Sequence, residues 1–389
     1  MKNFDYSIKT EVYFGKGKIK SLGRILQRYG EKVLLVYGGG SIKKVGLYEK
    51  VKSILEENNI ECIELGGVDP NPRIESVREG VKLVHENSID MILPVGGGST
   101  IDCAKAISGA SFYDGDPWEI VKNPSKIEKA LPIISILTLS ATGSEMDPFA
   151  VISNMDTNEK LGLGNEILRP VASILDPEYT YSVPKNQTAA GTADIMSHVF
   201  EVYFSKTKDA YLQDRMAEGV LKTCIKYGEI AYNEPENYEA RANLMWASSL
   251  AINGLLSCGK EGTAWSVHPI EHELSAFYDI THGVGLAILT PNWMKFVLNE
   301  DTLEKFYEFG VNVWDIDKSL DKKEVANLAI EKTRNYFKKL GIPGKLREIG
   351  IGDEKFEIMA EKAVKVGGLK YGYRALNKDD VISIFKASL

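Results

Sequence analysis

Met91-Ile92-Leu93-Pro94-Val95-Gly96-Gly97-Gly98-Ser99-Thr100-Ile101 is the stretch on which the fold turns. Met91 to Val95 is an apolar run of strand length, it stops at a glycine cluster, and a helix follows. The same order occurs once before. Lys32 to Tyr37 runs into Gly38-Gly39-Gly40-Ser41, and the amphipathic stretch Leu47 to Glu57 follows. Glu61 to Leu65, the turn Gly66 to Pro72 and a helical stretch from Ile74 to Glu86 complete the cycle. Strand and helix signals in alternation predict parallel strands joined by helical crossovers. Further apolar runs lie at Pro132 to Leu137 and near Ala172 to Leu175, and the character changes at about Val183-Pro184. Beyond it, Gln187 to Phe204, Ala210 to Tyr227, Tyr238 to Asn253, Val325 to Leu340 and Lys355 to Val366 carry helical periodicity. The expectation is an α/β domain over residues 1–183, with a Rossmann-like parallel sheet, and an all-helical domain over 184–389. No internal repeat or low-complexity tract is evident.

Glycine directly after a strand lets backbone N–H groups approach a phosphate, and the helix that follows presents its positive N-terminus to the anion. Two such clusters at successive strand ends point to a dinucleotide. Neither is a G-x-G-x-x-G fingerprint, since they continue as Ser41-Ile42-Lys43 and Ser99-Thr100-Ile101. A third polar loop, Thr138 to Glu145, offers hydroxyls after another apolar strand.

Composition suits a soluble enzyme. The 389-residue chain is 44% hydrophobic, enough for two cores. Its net charge of −7 comes with scattered lysines and arginines, which argues against nucleic acid as a partner. Cys62, Cys103, Cys224 and Cys258 form no CxxC and read as free thiols. No apolar run reaches membrane-spanning length and Met1 to Asp5 lacks a signal core, so a cytoplasmic location is expected.

Of the five histidines, four lie between positions 198 and 282, as Asp194-x-x-x-His198, His268-x-x-x-His272 and His282. Residues four apart share one helix face, so each pair can point at one ion. A carboxylate with imidazoles suits Fe²⁺ or Zn²⁺ better than Ca²⁺ or Mg²⁺, which prefer oxygen shells. His85, on a helix of the first domain, reads as a surface residue without function.

These motifs carry a family resemblance. Gly-Gly-Gly-Ser-x-x-Asp-x-x-Lys at 96–105, Thr-Gly-Ser-Glu at 142–145, Gly191-x-x-Asp194-x-x-x-His198 and His268-x-x-x-His272 before His282-Gly283 resemble the iron-containing (group III) alcohol dehydrogenases. The match runs nearly the whole length, and Gly38-Gly39-Gly40-Ser41 is most similar to the butanol dehydrogenase branch. The resemblance implies a dehydroquinate synthase-like architecture, with a nucleotide-binding first domain and a metal-binding, catalytic second one. It implies Asp194, His198, His268 and His282 as metal ligands and His272 beside the metal without binding it. It also implies Gly97, Gly98 and Ser99 at a pyrophosphate, with Gly39, Gly40 and Ser41 in the neighbouring loop. Asp102 would lie near the nicotinamide, Thr138 and Thr142 at the adenosine half, and Lys160 at ribose or phosphate. A homodimer is expected on the same ground.

The implied reaction passes a hydride between NAD(P)H and a primary alcohol/aldehyde pair of butanol size, with His272 or water exchanging the proton. Relatives that prefer NAD tend to carry an acid after the first strand. Here Gly40-Ser41 stands beside Lys43 and Lys44, which favours NADP(H), although Glu64 ends the second strand where an ordinary Rossmann fold places its ribose-binding acid. Phe149, Cys258 and Trp265 are expected near the substrate. Dehydroquinate synthase chemistry lacks an obvious basic cluster here, glycerol dehydrogenases space their ligands differently, and a metallohydrolase leaves the glycine turns unexplained. A non-catalytic nucleotide or metal sensor is the remaining alternative.

Overall fold

The structure, a computed structural model, describes residues 1–261 and 264–389. Its eight strands are β1 (Glu11–Phe14), β2 (Lys32–Tyr37), β3 (Glu61–Leu65), β4 (Met91–Gly96), β5 (Ile134–Leu137), β6 (Phe149–Asn154), β7 (Glu159–Gly164) and β8 (Ala172–Leu175). Six of them form one sheet in the order β1-β8-β5-β4-β2-β3, every pairing parallel. The remaining two, β6 and β7, make an antiparallel hairpin. The helices before residue 184 are α1 (Leu22–Leu26), α2 (Ser41–Lys44), α3 (Leu47–Glu57), α4 (Ile74–Asn87), α5 (Gly98–Ala110) and α6 (Pro117–Lys122).

A parallel sheet has to be covered on both faces, and the alternation along each strand shows how. Val33 and Leu35 of β2 face one side, with Met91, Leu93 and Val95 of β4, and pack on Leu47, Val51 and Leu55 of α3. Leu34, Val36 and Ile92 face the other side and pack on Ile74 and Val77 of α4 and Cys103, Ala104 and Ile107 of α5. The chain leaves β2 for β3 on one side and returns to β4 on the other. The carboxyl ends of β2 and β4 therefore lie next to each other where the strand order reverses, with Tyr37 paired to Val95. That reversal is where open α/β sheets take their ligands.

After residue 184 no strand occurs among the described residues. The helices are α7 (Lys185–Tyr203), α8 (Tyr211–Asn233), α9 (Tyr238–Ile252), α10 (Val267–Tyr278), α11 (His282–Val297), α12 (Leu303–Trp314), α13 (Lys322–Lys339), α14 (Phe356–Val366) and α15 (Lys378–Ala387). An aromatic knot holds this part together: Phe204 stacks on Phe306 at 4.5 Å and meets Phe309 and Trp293 edge-on.

The chain forms two compact units, one of residues 7–183 with 235–249, the other of 1–6, 184–234 and 250–389. Both exchanged segments have visible anchors. Met245 of α9 joins the apolar cluster of Ile101, Leu137 and Leu175, and Ser249 Oγ donates to the buried Glu145 carboxylate. At the other end, Lys2 N–H donates to the Gly259 carbonyl at 2.9 Å. Among the described residues no helix is long and apolar enough to cross a membrane. The four cysteines are free.

Candidate metal centre and cofactor loops

Helix α7 brings Asp194, His198 and Glu201 to one buried face, each at most 5% exposed. Helix α10 supplies His268, Glu271 and His272, and His282 is the first residue of α11. The start of α11 rests directly on α7. A side chain on Gly283 would meet the Ala190 carbonyl oxygen at 2.1 Å, so only glycine allows the approach that puts His282 opposite Asp194.

Asp194 Oδ1 is the hub of this arrangement. The Nε2 atoms of His198, His268 and His282 lie 3.6, 3.7 and 3.8 Å from it. Those separations are too long for hydrogen bonds. They match what an ion among the four atoms imposes, since tetrahedral ligands at roughly 2.1 Å from a metal stand about 3.4 Å from one another. Asp194 Oδ1 and His268 Nε2 are buried without a hydrogen-bond partner, a costly state that a cation resolves. The residues therefore fit a borderline divalent metal.

Outer partners orient two of the imidazoles. His268 Nδ1 lies 3.0 Å from Glu201 Oε1. The same carboxylate accepts the backbone N–H groups of Ser266, Val267 and His268 at 2.8, 2.9 and 3.0 Å, capping α10 where helix donors are otherwise orphaned. His282 Nδ1 is held by Glu271 Oε2, whose other oxygen accepts Ser275 Oγ. Such pairs fix ring orientation and raise ligand basicity. Glu271, His272 and His282 also approach one another within 4.8 Å. With Glu271 committed to His282 and Ser275, that grouping reads as support for the first. His272 is half-buried, its ring centroid 5.5 Å from that of His282 and 6.4 Å from that of His268.

Charge follows the geometry. Burial opposes ionisation of Asp194, but the surrounding imidazoles outweigh it and hold the carboxyl well below the usual range. Burial pushes His198 down to about 3, leaving the neutral form that binds metal. Burial also acts against a charged His268, yet the Asp194 and Glu201 carboxylates win and raise it to about 9.

In the α/β unit, Gly38 to Gly40 follow β2, Gly97 and Gly98 follow β4, and Thr138 follows β5, its N–H donating to the Gly96 carbonyl at 3.0 Å. The three loops therefore adjoin. Gly40 has φ +95°, and Gly39 faces open space. A side chain on Gly98 would strike Thr142 Oγ1 at 2.3 Å, so helix α5 begins where only glycine fits. Its N-terminus at Gly97 has no side-chain cap. Ser41 is exposed and Ser99 half-buried.

Asp102 lies in the second turn of α5 and is buried. Its oxygens accept Ser144 Oγ at 2.6 Å and the Val151 N–H at 2.9 Å, and burial pushes it up to about 6. Lys105, fully buried, donates to Ser144 Oγ, Asp147 Oδ1 and the Phe149 carbonyl at 2.8, 2.9 and 2.7 Å. The Asp-x-x-Lys spacing thus fastens the Thr-Gly-Ser-Glu loop and β6 to α5. Lys160 is buried on β7 and donates to Asn71 Oδ1 at 2.9 Å. Glu64 accepts Tyr37, Tyr48 and Lys52, and Lys43 lies over both tyrosine rings. His85 is exposed.

Sequence reading missed Glu201 and Glu271. Glu201 stands three residues after His198 and Glu271 three after His268, on helices that carry ligands, but the imidazoles they orient, His268 and His282, belong to other helices, so spacing does not point to them.

Comparison with known proteins agrees with this geometry. Residues 9–177 match the family described as iron-containing alcohol dehydrogenase, and residues 188–389 match the C-terminal part of the Fe-containing alcohol dehydrogenase family. The chain is 62% identical over 389 residues to NADH-dependent butanol dehydrogenase A of Clostridium acetobutylicum, covering 100% of both. It is 39% identical to the NADPH-dependent aldehyde reductase YqhD of Escherichia coli, covering 96% of this chain and 95% of that one. The crystal structure of NADH-dependent butanol dehydrogenase A from Thermotoga maritima superposes with a TM-score of 0.95 at 38% identity, covering 100% and 99%. With an ion-sized nest of one carboxylate and three imidazoles, and glycine loops at the reversal of a parallel sheet, the chain belongs to the iron-containing alcohol dehydrogenase family and is an NAD(P)-dependent alcohol dehydrogenase of its butanol dehydrogenase-like branch.

Proposed function

We propose that this enzyme interconverts butanal-sized aldehydes and their primary alcohols, with Fe²⁺ or Zn²⁺ held by Asp194, His198, His268 and His282. The observation that carries the reading is Asp194 Oδ1, buried without a hydrogen bond and faced by three Nε2 atoms at 3.6 to 3.8 Å. A divalent ion so held supplies Lewis-acid polarisation of the substrate oxygen. The nicotinamide supplies or accepts the hydride.

The protein's own groups do the rest. Glu201 and Glu271 hold His268 and His282 with Nε2 toward the hub, so no reorientation accompanies substrate binding. His272, half-buried beside them, exchanges a proton with the substrate oxygen or with water at a ring nitrogen. Gly97, Gly98 and Ser99 give the pyrophosphate the uncapped start of α5, and Gly39 with Gly40 lets it approach β2 closely. Thr138 and Thr142 border the adenosine half, and Lys160 reaches ribose or phosphate. Asp102, engaged by Ser144 and Val151, acts by holding the loop that carries Thr142.

NADP(H) is the cofactor we favour. Among residues 38–41 there is no carboxylate to repel a 2′-phosphate, and the Glu64 carboxylate is already paired with Lys52 and accepts two tyrosine hydroxyls. The enzyme is proposed to work as a cytoplasmic homodimer. The test is steady-state oxidation of NADPH and of NADH with butanal. The reading requires kcat/KM higher with NADPH, and a preference for NADH, as in the names of the Clostridium relatives, would overturn the cofactor assignment alone.

A further inference from the structure

Two of the ligand imidazoles are oriented by carboxylates. His198 is not. Its Nε2 faces Asp194, while its Nδ1 is buried without a hydrogen-bond partner. Among the described residues no carboxylate or carbonyl fixes the rotation of this ring about its last side-chain bond, a torsion whose wells are broad. Flat neighbours bound it instead. The His268 ring stacks on it at 4.8 Å and 15°, and the Trp265 indole lies 5.4 Å away at 43°. Trp265 also packs on His268, at 4.4 Å, so the three rings close a triangle. The indole's own place is set from the next residue, because Glu201 accepts the Ser266 N–H.

We propose that Trp265 is the positioning residue of His198, fixing by ring contact the imidazole plane that Glu201 and Glu271 fix for the other two. The inference rests on the reading of Asp194, His198, His268 and His282 as a metal site. It makes His198 the ligand most sensitive to the shape, rather than the charge, of its surroundings. Removing the flat surface frees the ring to turn its Nε2 away from Asp194, while a smaller flat surface keeps it in place.

The experiment titrates chelator-stripped enzyme with Co²⁺, following the visible absorption band and tryptophan emission. Trp265→Leu is expected to raise the Co²⁺ dissociation constant about 10- to 100-fold and to alter the band at saturation, the scale set by outer-partner changes elsewhere. Trp265→Phe stays within about 3-fold of the parent protein. Where melting shows that Trp265→Leu does not fold, Trp265→Met, flexible and of similar bulk, takes its place. The emission difference between the parent protein and Trp265→Phe isolates the indole, which Co²⁺ quenches if it lies against the ligand rings. Parent-like affinity and band shape in Trp265→Leu would overturn the proposal, as would equal losses in Leu and Phe variants or an unquenched indole. Failure of the parent protein itself to bind Co²⁺ would instead sink the metal reading beneath it.

Discussion

A single carboxylate oxygen is the hub of the proposed metal centre. Because Asp194 Oδ1 meets only imidazole nitrogens beyond hydrogen-bond range, Asp194→Asn should abolish tight metal binding; bound metal per chain, read by atomic emission after dialysis, checks this. Glu201→Gln puts an amide where four N–H groups converge, so it should weaken metal binding about 10- to 100-fold and lower the melting temperature even without metal. An unchanged melting temperature would contradict the capping role. His272→Ala should keep the metal but cut turnover about 100-fold; full turnover would assign the proton to water. At this scale Asp194 and His198 are legible in the sequence because their relation is local, four residues on one helix. The role of Glu201 is not, since its partners lie 65 to 67 residues later and no spacing rule reaches that far.

Elements meet most closely where glycine permits. Gly283→Ala would drive a methyl into the Ala190 carbonyl, backbone that cannot rotate away. It should destabilise the enzyme by about 3 kcal/mol, the upper end for overpacking, and release metal as α11 shifts, both visible in a denaturant titration with and without Zn²⁺. Gly98→Ala meets a side chain instead. KM for the cofactor should rise, and Thr142→Ala, which removes both the Oγ1 and the methyl that a Gly98 side chain would strike, should restore part of it; no restoration would mean the clash is not what matters. The strands β2, β3 and β4 are legible because apolar runs bounded by glycine mark them. The hairpin β6–β7 escapes notice because its runs are short and interrupted by Asn154 to Asn158, and Lys160 consequently looks like a loop residue. Residues 235–249 pack with the α/β unit although their periodicity is helical. An apolar helix face names no partner, so nothing in the sequence assigns Met245 to Leu137 and Leu175.

For the whole molecule, stability and function both trace to buried charge. Burial raises Glu145 to about 7, with the Ser249 hydroxyl acting against it. Its folded value lies above its unfolded one, so its contribution is fully present below about pH 4.5 and disappears as pH rises through 7. Glu145→Gln should therefore flatten the fall in melting temperature between about pH 5 and 8; parallel curves for variant and parent would contradict the assignment. Metal should stabilise the folded chain in step with the logarithm of its free concentration, by about 2.7 kcal/mol at a hundredfold excess over the dissociation constant. The decisive measurement is an anaerobic titration of stripped enzyme with Fe²⁺ or Zn²⁺, recording NADPH- and NADH-dependent butanal reduction against bound metal. Turnover rising linearly and levelling at one ion per chain, with no rise in Asp194→Asn, is the predicted result. Activity in metal-free protein, or turnover that ignores occupancy of the Asp194 site, would contradict it.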